Sequence, residues 1–403
     1  MKFGIIREGK TPPDKRVPLS PAQCARFQSS HPNAKIVVQP SSIRAFTDSE
    51  YTDKGITLQE DLSDCDVILG VKEVPLDMLI PNKTYLFFSH TFKKQPYNRK
   101  LLQAILAKKI RLIDYEVMTD TEGRRLIGFG RYAGVVGCYN GLLAYGKKTQ
   151  LFELTPAHAC TDRRALEAEL LKVKLPKNFK LALTGAGRVA GGAMEILTTL
   201  GMKQVSPQAF VEESFEEPVF TQLLVTDYNE RIDGEPFTRQ AFFDHPEPFK
   251  SVFMKYAEHA HLYVACHYWD ARSPYIFTRE DAKSPSFNIQ VVADVSCDID
   301  CAVASTIRPS TIAEPLYGYH PQLEKEVDFM NEKAIGVMAV DNLPCELPKD
   351  ASEDFGNELL KHILPNFFNG DPQKVLVRAS ETNLNGELTS EFEYLKDYVA
   401  GKE

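Results

Sequence analysis

The sequence offers little to anchor it to a membrane, a nucleic acid or an oxidising compartment. Its 403 residues contain one tryptophan and eight cysteines. The cysteines, Cys24, Cys65, Cys138, Cys160, Cys266, Cys297, Cys301 and Cys345, are scattered, and no C-x-x-C occurs. A disulfide framework or zinc ribbon would cluster them. Cys297 and Cys301 stand nearest one another, but without His or Cys partners at metal-ligand spacing. All eight are expected as reduced thiols, mostly buried, and no metal site is expected. Apolar runs are strand-sized, such as Asp66–Val71, too short to span a bilayer. The N-terminus Met1-Lys-Phe-Gly-Ile-Ile lacks the long apolar stretch of a signal peptide, so a cytoplasmic protein is expected. A net charge of −8 argues against a nucleic-acid partner, which would call for a basic face. It also requires that an anionic substrate be held by local arginines against the overall field.

What is present is globular: 43% hydrophobic and 25% charged residues in a chain long enough for two domains. Short apolar strands alternate with helical patterns. Strands are expected at Phe3–Ile6, Lys35–Gln39, Asp66–Val71, Tyr85–Phe88 and Ile110–Ile113. Helices are expected at Pro21–Phe27, with Pro in the first turn, and at Asn98–Lys108, where Leu101, Leu102, Ile105 and Leu106 share a face. This alternation implies a mostly parallel sheet. The pattern changes near Gly134, and Tyr139–Tyr145 reads as a glycine-spotted helix crossing between domains. A second α/β unit starts at Phe179, with strands at Gln222–Thr226, Leu262–Cys266, Ile289–Ala293 and Ala334–Val340. The tail is helical again at Asn357–Ile363 and Glu391–Val399.

One motif is embedded in the right context. The strand Lys180–Thr184 runs into Gly185-Ala-Gly187-Arg188-Val189-Ala190, a G-x-G-x-x-A opening a helix that Gly201 terminates. Gly185 permits the tight turn, Gly187 lets backbone approach a pyrophosphate, and Ala190 lets helix and strand pack closely. The helix N-terminus then offers free N–H groups to an anion, with Arg188 and Val189 in its first turn. A tight turn without ligand is the competing reading. The ribose should be read at the end of the next strand. The window ~20 residues on is filled by a capped helix starting at Ser206-Pro, so the expected reader is Asp227, after Gln222–Thr226. A carboxylate there would accept ribose hydroxyls and repel a 2′-phosphate, favouring NAD; a surface-loop Asp is the alternative.

In open parallel sheets the active crevice lies beyond the carboxyl ends of the strands. Lys72 and Glu73, Ser89 and His90, and Asp114 and Glu116 all follow such ends. A lysine among carboxylates and a histidine can shuttle protons if burial or a neighbouring cation lowers its pKa; a carboxylate such as Glu73 or Glu116 would instead hold it charged. Arg16, Arg124, Arg125 and Arg131 are candidates to fork a substrate carboxylate, though surface ion pairs are expected for at least two of them.

Long ordered segments then carry a resemblance over nearly the whole chain. They include Arg16-Val-Pro-Leu-Ser-Pro21, Ile68-Leu-Gly-Val-Lys-Glu73, Lys83-Thr-Tyr-Leu-Phe-Phe-Ser-His-Thr91, Arg111-Leu-Ile-Asp-Tyr-Glu116, Gly128-Phe-Gly-Arg-Tyr-Ala-Gly134 and Ala293-Asp-Val-Ser296. The chain resembles the lysine-forming saccharopine dehydrogenases, and most of all the lysine-ketoglutarate reductase domain of animal aminoadipic semialdehyde synthases, within the alanine dehydrogenase–transhydrogenase superfamily. The resemblance implies Lys72 and His90 as a catalytic pair, Glu73 and Glu116 as modulating carboxylates, Arg16 and Arg125 as receivers of substrate carboxylates, and Phe129 as an aromatic wall. Asp294 is expected near the nicotinamide.

The expected architecture is α/β, with two Rossmann-like domains with parallel sheets flanking a cleft. The substrate domain comprises 1–137 and 345–403, and the dinucleotide domain 138–344. The expected reaction interconverts saccharopine with lysine and 2-oxoglutarate, using NAD, with NADP as the alternative. Rival readings are an NADPH-linked reductase, an alanine dehydrogenase-like enzyme and a non-catalytic NAD-sensing module.

Overall fold

Short β-branched and aromatic runs form the strands, and where both faces are covered they are apolar throughout rather than alternating. The computed structural model describes residues 1–402. Its chain divides into one unit of Met1–Phe129 together with Pro348 onward, and a second of Gly130–Leu347. The expected division at 137/138 falls inside an unbroken helix, Gly130–Thr149, whose i→i−4 hydrogen bonds leave no natural boundary there.

The first unit holds six strands: β1 (Lys2–Ile5), β2 (Lys35–Val38), β3 (Thr57–Leu58), β4 (Val67–Leu69), β5 (Thr84–Phe87) and β6 (Arg111–Asp114). All are parallel, in the order β3-β2-β1-β4-β5-β6. That is the doubly wound order, which reverses between β1 and β4. The helix Pro21–Ser30 is fixed at its start by a capping box: the Ser20 side chain accepts the Gln23 N–H, and the Gln23 side chain accepts the Ser20 N–H. The helix Arg99–Ala107 buries Leu101, Leu102 and Ile105, as its periodicity requires. The C-terminal segment belongs to this unit. Ser352 of the helix Pro348–Glu358 accepts the Val17 N–H at 2.9 Å, and the Glu381 N–H donates to the Leu112 carbonyl at 2.8 Å.

The second unit contains β7 (Lys180–Thr184), β8 (Lys203–Gln204), β9 (Val219–Leu223), a hairpin of β10 (Asn229–Arg231) and β11 (Phe249–Ser251), then β12 (Leu262–Ala265), β13 (Val291–Asp294), β14 (Leu316–His320), β15 (Lys325–Val327) and β16 (Ile335–Met338). The main sheet runs β8-β9-β7-β12-β13-β16-β14-β15, parallel except at β14, which is antiparallel to both neighbours. The glycine-spotted stretch is part of the long helix Gly130–Thr149. A side chain on Gly134 would strike the Val189 carbonyl, and one on Gly192 of the helix Arg188–Thr199 would strike the Arg131 carbonyl. The glycines are what let the two helix backbones touch.

One strand was misplaced by the sequence reading. The run expected at Gln222–Thr226 pairs as Val219–Leu223, and Val225–Tyr228 is a single helical turn. The Asp227 carboxylate accepts the Leu224 N–H at 2.6 Å and so stabilises the turn that ends the strand. No described helix is long and apolar enough to cross a membrane. The eight cysteines are free; Cys24, Cys65, Cys138 and Cys266 are buried and the other four partly exposed.

Candidate functional sites

In the first unit the charged residues converge at the carboxyl ends of β1, β4, β5 and β6. Glu8, just past β1, accepts the N–H groups of Val71 at 2.7 Å and Lys72 at 2.9 Å. Burial pushes the Glu8 carboxyl up to about 7, although these two N–H groups favour its ionised form. Lys72 lies below the ordinary lysine range, because burial and the Arg16 charge both disfavour its ammonium, against the opposing pull of Asp14 and Glu73. A lysine so placed can give up its proton far more readily than one in water.

From Glu73 a continuous chain of polar contacts extends through the histidine. The Lys10 ammonium lies 2.7 Å from Glu73 Oε2, and Glu73 Oε1 lies 2.7 Å from His90 Nδ1. His90 Nε2 is 3.6 Å from Glu116 Oε2, and Glu116 Oε1 is 2.8 Å from Lys93 Nζ and 3.7 Å from an Arg125 nitrogen. Burial resists ionisation of Glu73, but hydrogen bonds from His90 and Lys10 hold its carboxyl down at about 2. An ionised carboxylate only accepts, so the hydrogen resides on His90 Nδ1 and Nε2 is the nitrogen left for proton exchange. His90 has left-handed backbone, φ 55°, uncommon outside glycine, which turns it out of the line of β5.

The arginines separate as their surroundings dictate. Arg124 pairs with Asp120 and Glu122 on the surface, and Arg131 with Glu195. Arg16 was expected to receive a substrate carboxylate, but it is only 3% exposed and forks Asp14, Nε to Oδ1 at 3.0 Å and Nη2 to Oδ2 at 2.6 Å. Its guanidinium also lies 4.2 Å from the centre of the Phe129 ring. Phe129 stacks in turn on Phe355 at 4.5 Å. Arg125 is 43% exposed, with Nε donating to the Ile127 carbonyl. The sequence reading missed Glu8, Lys10, Asp14 and Lys93. Glu8, Lys10 and Asp14 sit in loops and Lys93 in the short 3-10 turn Thr91–Lys93, all without periodicity, and only their nearness to strand ends could have marked them.

In the second unit the glycine loop has the form its motif requires. Gly185 adopts φ +102°, and a side chain there would collide with the Cys266 carbonyl. Gly187 opens onto empty space and precedes the helix Arg188–Thr199, whose first turn has no side-chain cap. A cavity of about 310 Å³ lies over this loop, bounded by Arg188, Val189, Leu224, Arg239 and His267 among others. His267 Nε2 is buried without a partner, while Nδ1 contacts the Thr184 hydroxyl at 2.9 Å. Burial lowers His267 to about 4, so it is neutral at physiological pH. Asp294, the last residue of β13, is fully buried. Its Oδ1 accepts from Ser296 and Cys297, the Thr306 side chain also favours its ionised form, and burial outweighs these to raise its pKa. Uncapped N–H groups, an open glycine cradle and the unpartnered His267 Nε2 suit a dinucleotide. A larger cavity, about 890 Å³, lies at the opposite ends of β13 and β16, beside Gln290 and Ile335. It is away from the glycine loop, so size alone does not mark the site. Asp227 does not border the 310 Å³ cavity, and its Oδ2 accepts the Leu224 N–H at 2.6 Å.

Residues 4–136 match the family model for the alanine dehydrogenase/PNT N-terminal domain. The chain is 30% identical over 435 aligned residues to the alpha-aminoadipic semialdehyde synthase of Arabidopsis thaliana, an alignment covering 97% of this chain and 41% of that protein. It is 26% identical to the saccharopine dehydrogenase [NAD(+), L-lysine-forming] of Schizosaccharomyces pombe, covering 89% of this chain and 91% of the relative. The chain thus spans less than half the length of the synthase. A solved L-alanine dehydrogenase shares its fold, with a TM-score of 0.65 and 13% identity over the whole of both chains. The chain is thus similar over nearly its whole length to part of an alpha-aminoadipic semialdehyde synthase and to a saccharopine dehydrogenase, and its N-terminal third matches the alanine dehydrogenase/PNT N-terminal domain.

Proposed function

We propose that the chain is an oxidoreductase interconverting saccharopine with lysine and 2-oxoglutarate, in which the second unit binds the pyridine dinucleotide and the first binds substrate and moves its protons. The observation that carries this reading is the contact chain Lys10–Glu73–His90–Glu116 beside a lysine of lowered pKa. Such a set suits a reaction that must deprotonate an amine and then manage the addition of water.

The bound dinucleotide supplies or accepts the hydride. In the oxidative direction Lys72 accepts the proton of the secondary amine as the carbon–nitrogen bond becomes an imine. His90, through Nε2, takes a proton from the water that adds to the imine carbon. Glu73 keeps the opposite nitrogen protonated throughout. Lys72 passes its proton to the nitrogen as water adds and takes the hydroxyl proton as the carbinolamine collapses, while His90 returns its proton to the departing amine, giving lysine and 2-oxoglutarate. Arg125 receives a substrate carboxylate, and Arg16, committed to Asp14, adds positive charge at the face of Phe129. The cavity over the glycine loop carries Arg188 and Arg239 and no carboxylate. This supports a cofactor with a 2′-phosphate, NADP in place of the NAD expected from Asp227.

The test is the absorbance of reduced nicotinamide with purified protein, lysine, 2-oxoglutarate and either NADPH or NADH, with pyruvate and ammonia as the control pair. Oxidation of NADPH that requires both lysine and 2-oxoglutarate is expected. Turnover only with pyruvate and ammonia would overturn the substrate assignment. A preference for NADH would overturn the cofactor assignment alone.

A further inference from the structure

We infer that Asp114 and Glu381 form a carboxylate–carboxylic acid pair sharing one proton, and that this pair positions His90 and Glu116. The functional weight of the inference rests on the reading of His90 as a proton-transfer group; its structural content does not.

Asp114, at the end of β6, and Glu381, in the C-terminal segment, are both fully buried, as are Ser89 and Thr91 on either side of His90. The hydrogen-bond inventory of this cluster decides where protons reside. Asp114 Oδ1 accepts the Glu116 N–H at 2.6 Å, and Oδ2 accepts the Ser89 N–H at 2.7 Å. Each Asp114 oxygen therefore already receives a backbone donor, which marks Asp114 as the ionised member. The Ser89 hydroxyl lies 2.5 Å from Asp114 Oδ2 and spends its single proton there. Ser89 Oγ also accepts the Thr91 N–H at 3.1 Å and lies 2.6 Å from Thr91 Oγ1, which in turn lies 2.6 Å from Glu381 Oε2. Three short oxygen–oxygen contacts therefore share the two hydroxyl protons, unless Glu381 supplies a third. A Glu381 protonated on Oε2 completes the network: Glu381 donates to Thr91, Thr91 to Ser89, and Ser89 to Asp114, with Glu381 Oε1 left 3.2 Å from Ser89 Oγ. Burial raises both carboxyls, and each resists the other's charge, which agrees with one retained proton.

The consequence for the site follows from what the network holds. His90 stands in a left-handed conformation that a non-glycine residue keeps only when its neighbours over-determine it. Those neighbours are Ser89, tied to Asp114, and Thr91, tied to Glu381. Glu116, opposite His90 Nε2, has its own N–H on the same Asp114 carboxylate. Asp114 and Glu381 are thus positioning residues, and Glu381 makes the C-terminal segment a working part of the first unit.

The experiment compares Glu381→Ala, Glu381→Gln and Asp114→Asn in the full chain. Glutamine imitates the protonated acid, with an amide donor for Thr91 and an oxygen in place of Oε1. Asparagine in place of Asp114 cannot accept both backbone N–H groups, because one of its two arms only donates. Glu381→Ala should lower kcat by roughly tenfold with little change in KM, Glu381→Gln should restore most of that loss, and Asp114→Asn should fall at least as far as the alanine variant. The infrared difference between wild type and Glu381→Gln at neutral pH should show one protonated-carboxyl stretch lost. The His90 ring resonances, identified by their absence in His90→Gln, should move in Glu381→Ala and stay in place in Glu381→Gln. Absence of the infrared band, or a glutamine variant as impaired as the alanine one, would overturn the shared proton. If the chain turns over none of the proposed substrates, the infrared band and His90 resonances still decide this inference, separately from the failure of the functional reading.

Discussion

The two units carry the same kind of parallel sheet and load its carboxyl edge differently. In the first, the edge is crowded with ionisable side chains paired by sign: Asp14 with Arg16, Glu73 with Lys10 and His90, and Glu116 with Lys93. In the second, the equivalent edge presents backbone N–H groups, two arginines and a neutral imidazole: Gly185, Gly187, an uncapped helix start, Arg188 and Arg239, and a His267 kept uncharged by burial. An edge of titratable groups can move protons but would present a patchwork of charge to a pyrophosphate. An edge of N–H groups binds an anion without titrating, and so can hold a dinucleotide at any pH the proton chemistry needs. The comparison teaches that the fold is neutral as to chemistry; what stands in the first few residues after each strand decides it.

The largest expected effect tests this division directly. Lys72→Met should lower kcat by about 10²–10⁴-fold, the usual span for loss of a general acid–base. Dinucleotide affinity, followed by titration of the reduced cofactor's fluorescence, should be unchanged. Normal turnover in that variant would remove proton handling from the first unit. Next in size is Gly134→Ala. Its new methyl would meet the Val189 carbonyl, a backbone atom that cannot swing aside, so the helix pair must separate. A loss of about 3 kcal/mol in denaturant unfolding is expected, at the upper end for overpacking. A neutral result would show that the two helices have slack.

Two buried carboxyls, one in each unit, should respond to pH with opposite signs. Glu346, in the second unit, is 4% exposed, hydrogen-bonded to Asn140, and raised by burial from 4.5 to about 7. A carboxyl with a raised folded pKa contributes stability that is full below its unfolded value and is lost as pH rises through the folded one. Stability should therefore decline between pH 4.5 and about 7, by on the order of 3 kcal/mol, and Glu346→Gln should flatten that slope. Asp14, in the first unit, is the reverse case. Burial opposes its ionisation, but the charge and hydrogen bonds of Arg16 win and hold it far below 3.8. Its contribution is present above 3.8 and is lost as pH falls below that value, so Asp14→Asn should reduce the acid sensitivity of unfolding. Unfolding curves of the two variants across pH check both signs.

These contrasts also explain what was legible in the sequence. Strand–helix alternation gave the sheets, and the rule that crevices lie at carboxyl ends singled out Lys72, Glu73, His90 and Glu116, which three strands bring to one edge. The glycine loop was legible because Gly185 answers a backbone demand and Gly187 leaves the helix start open. Side chains whose role comes from distant partners were not: Glu8 works through the N–H groups of Val71 and Lys72, and Glu381 through Ser89 and Thr91, nearly three hundred residues away. The end of β9 was misplaced for a local reason. Gln222–Thr226 has the composition of a strand, but a carboxylate three residues after Leu224 can accept its N–H and start a helical turn instead. Composition could not rank that hydrogen bond against two more residues of sheet.

The end of β9 leads to the smallest predicted effect. Leu224 is the first residue after β9, where an acidic residue would read the ribose in an NAD site, and it is 40% exposed on the cavity that Arg239 also borders. Arg239 is a surface residue whose guanidinium lies 5.3 Å from the Phe243 ring centre, so the ring limits the directions its fork can take. Arg239→Ala should lower the NADPH-to-NADH ratio of kcat/KM by roughly tenfold, about what one exposed charge-assisted contact is worth. Leu224→Asp should shift the same ratio in the same direction by repelling the 2′-phosphate, while leaving the Lys72 and His90 chemistry untouched. If both substitutions leave the ratio unchanged, the ribose lies elsewhere on the second unit, and the charges bordering this cavity have no part in choosing the cofactor.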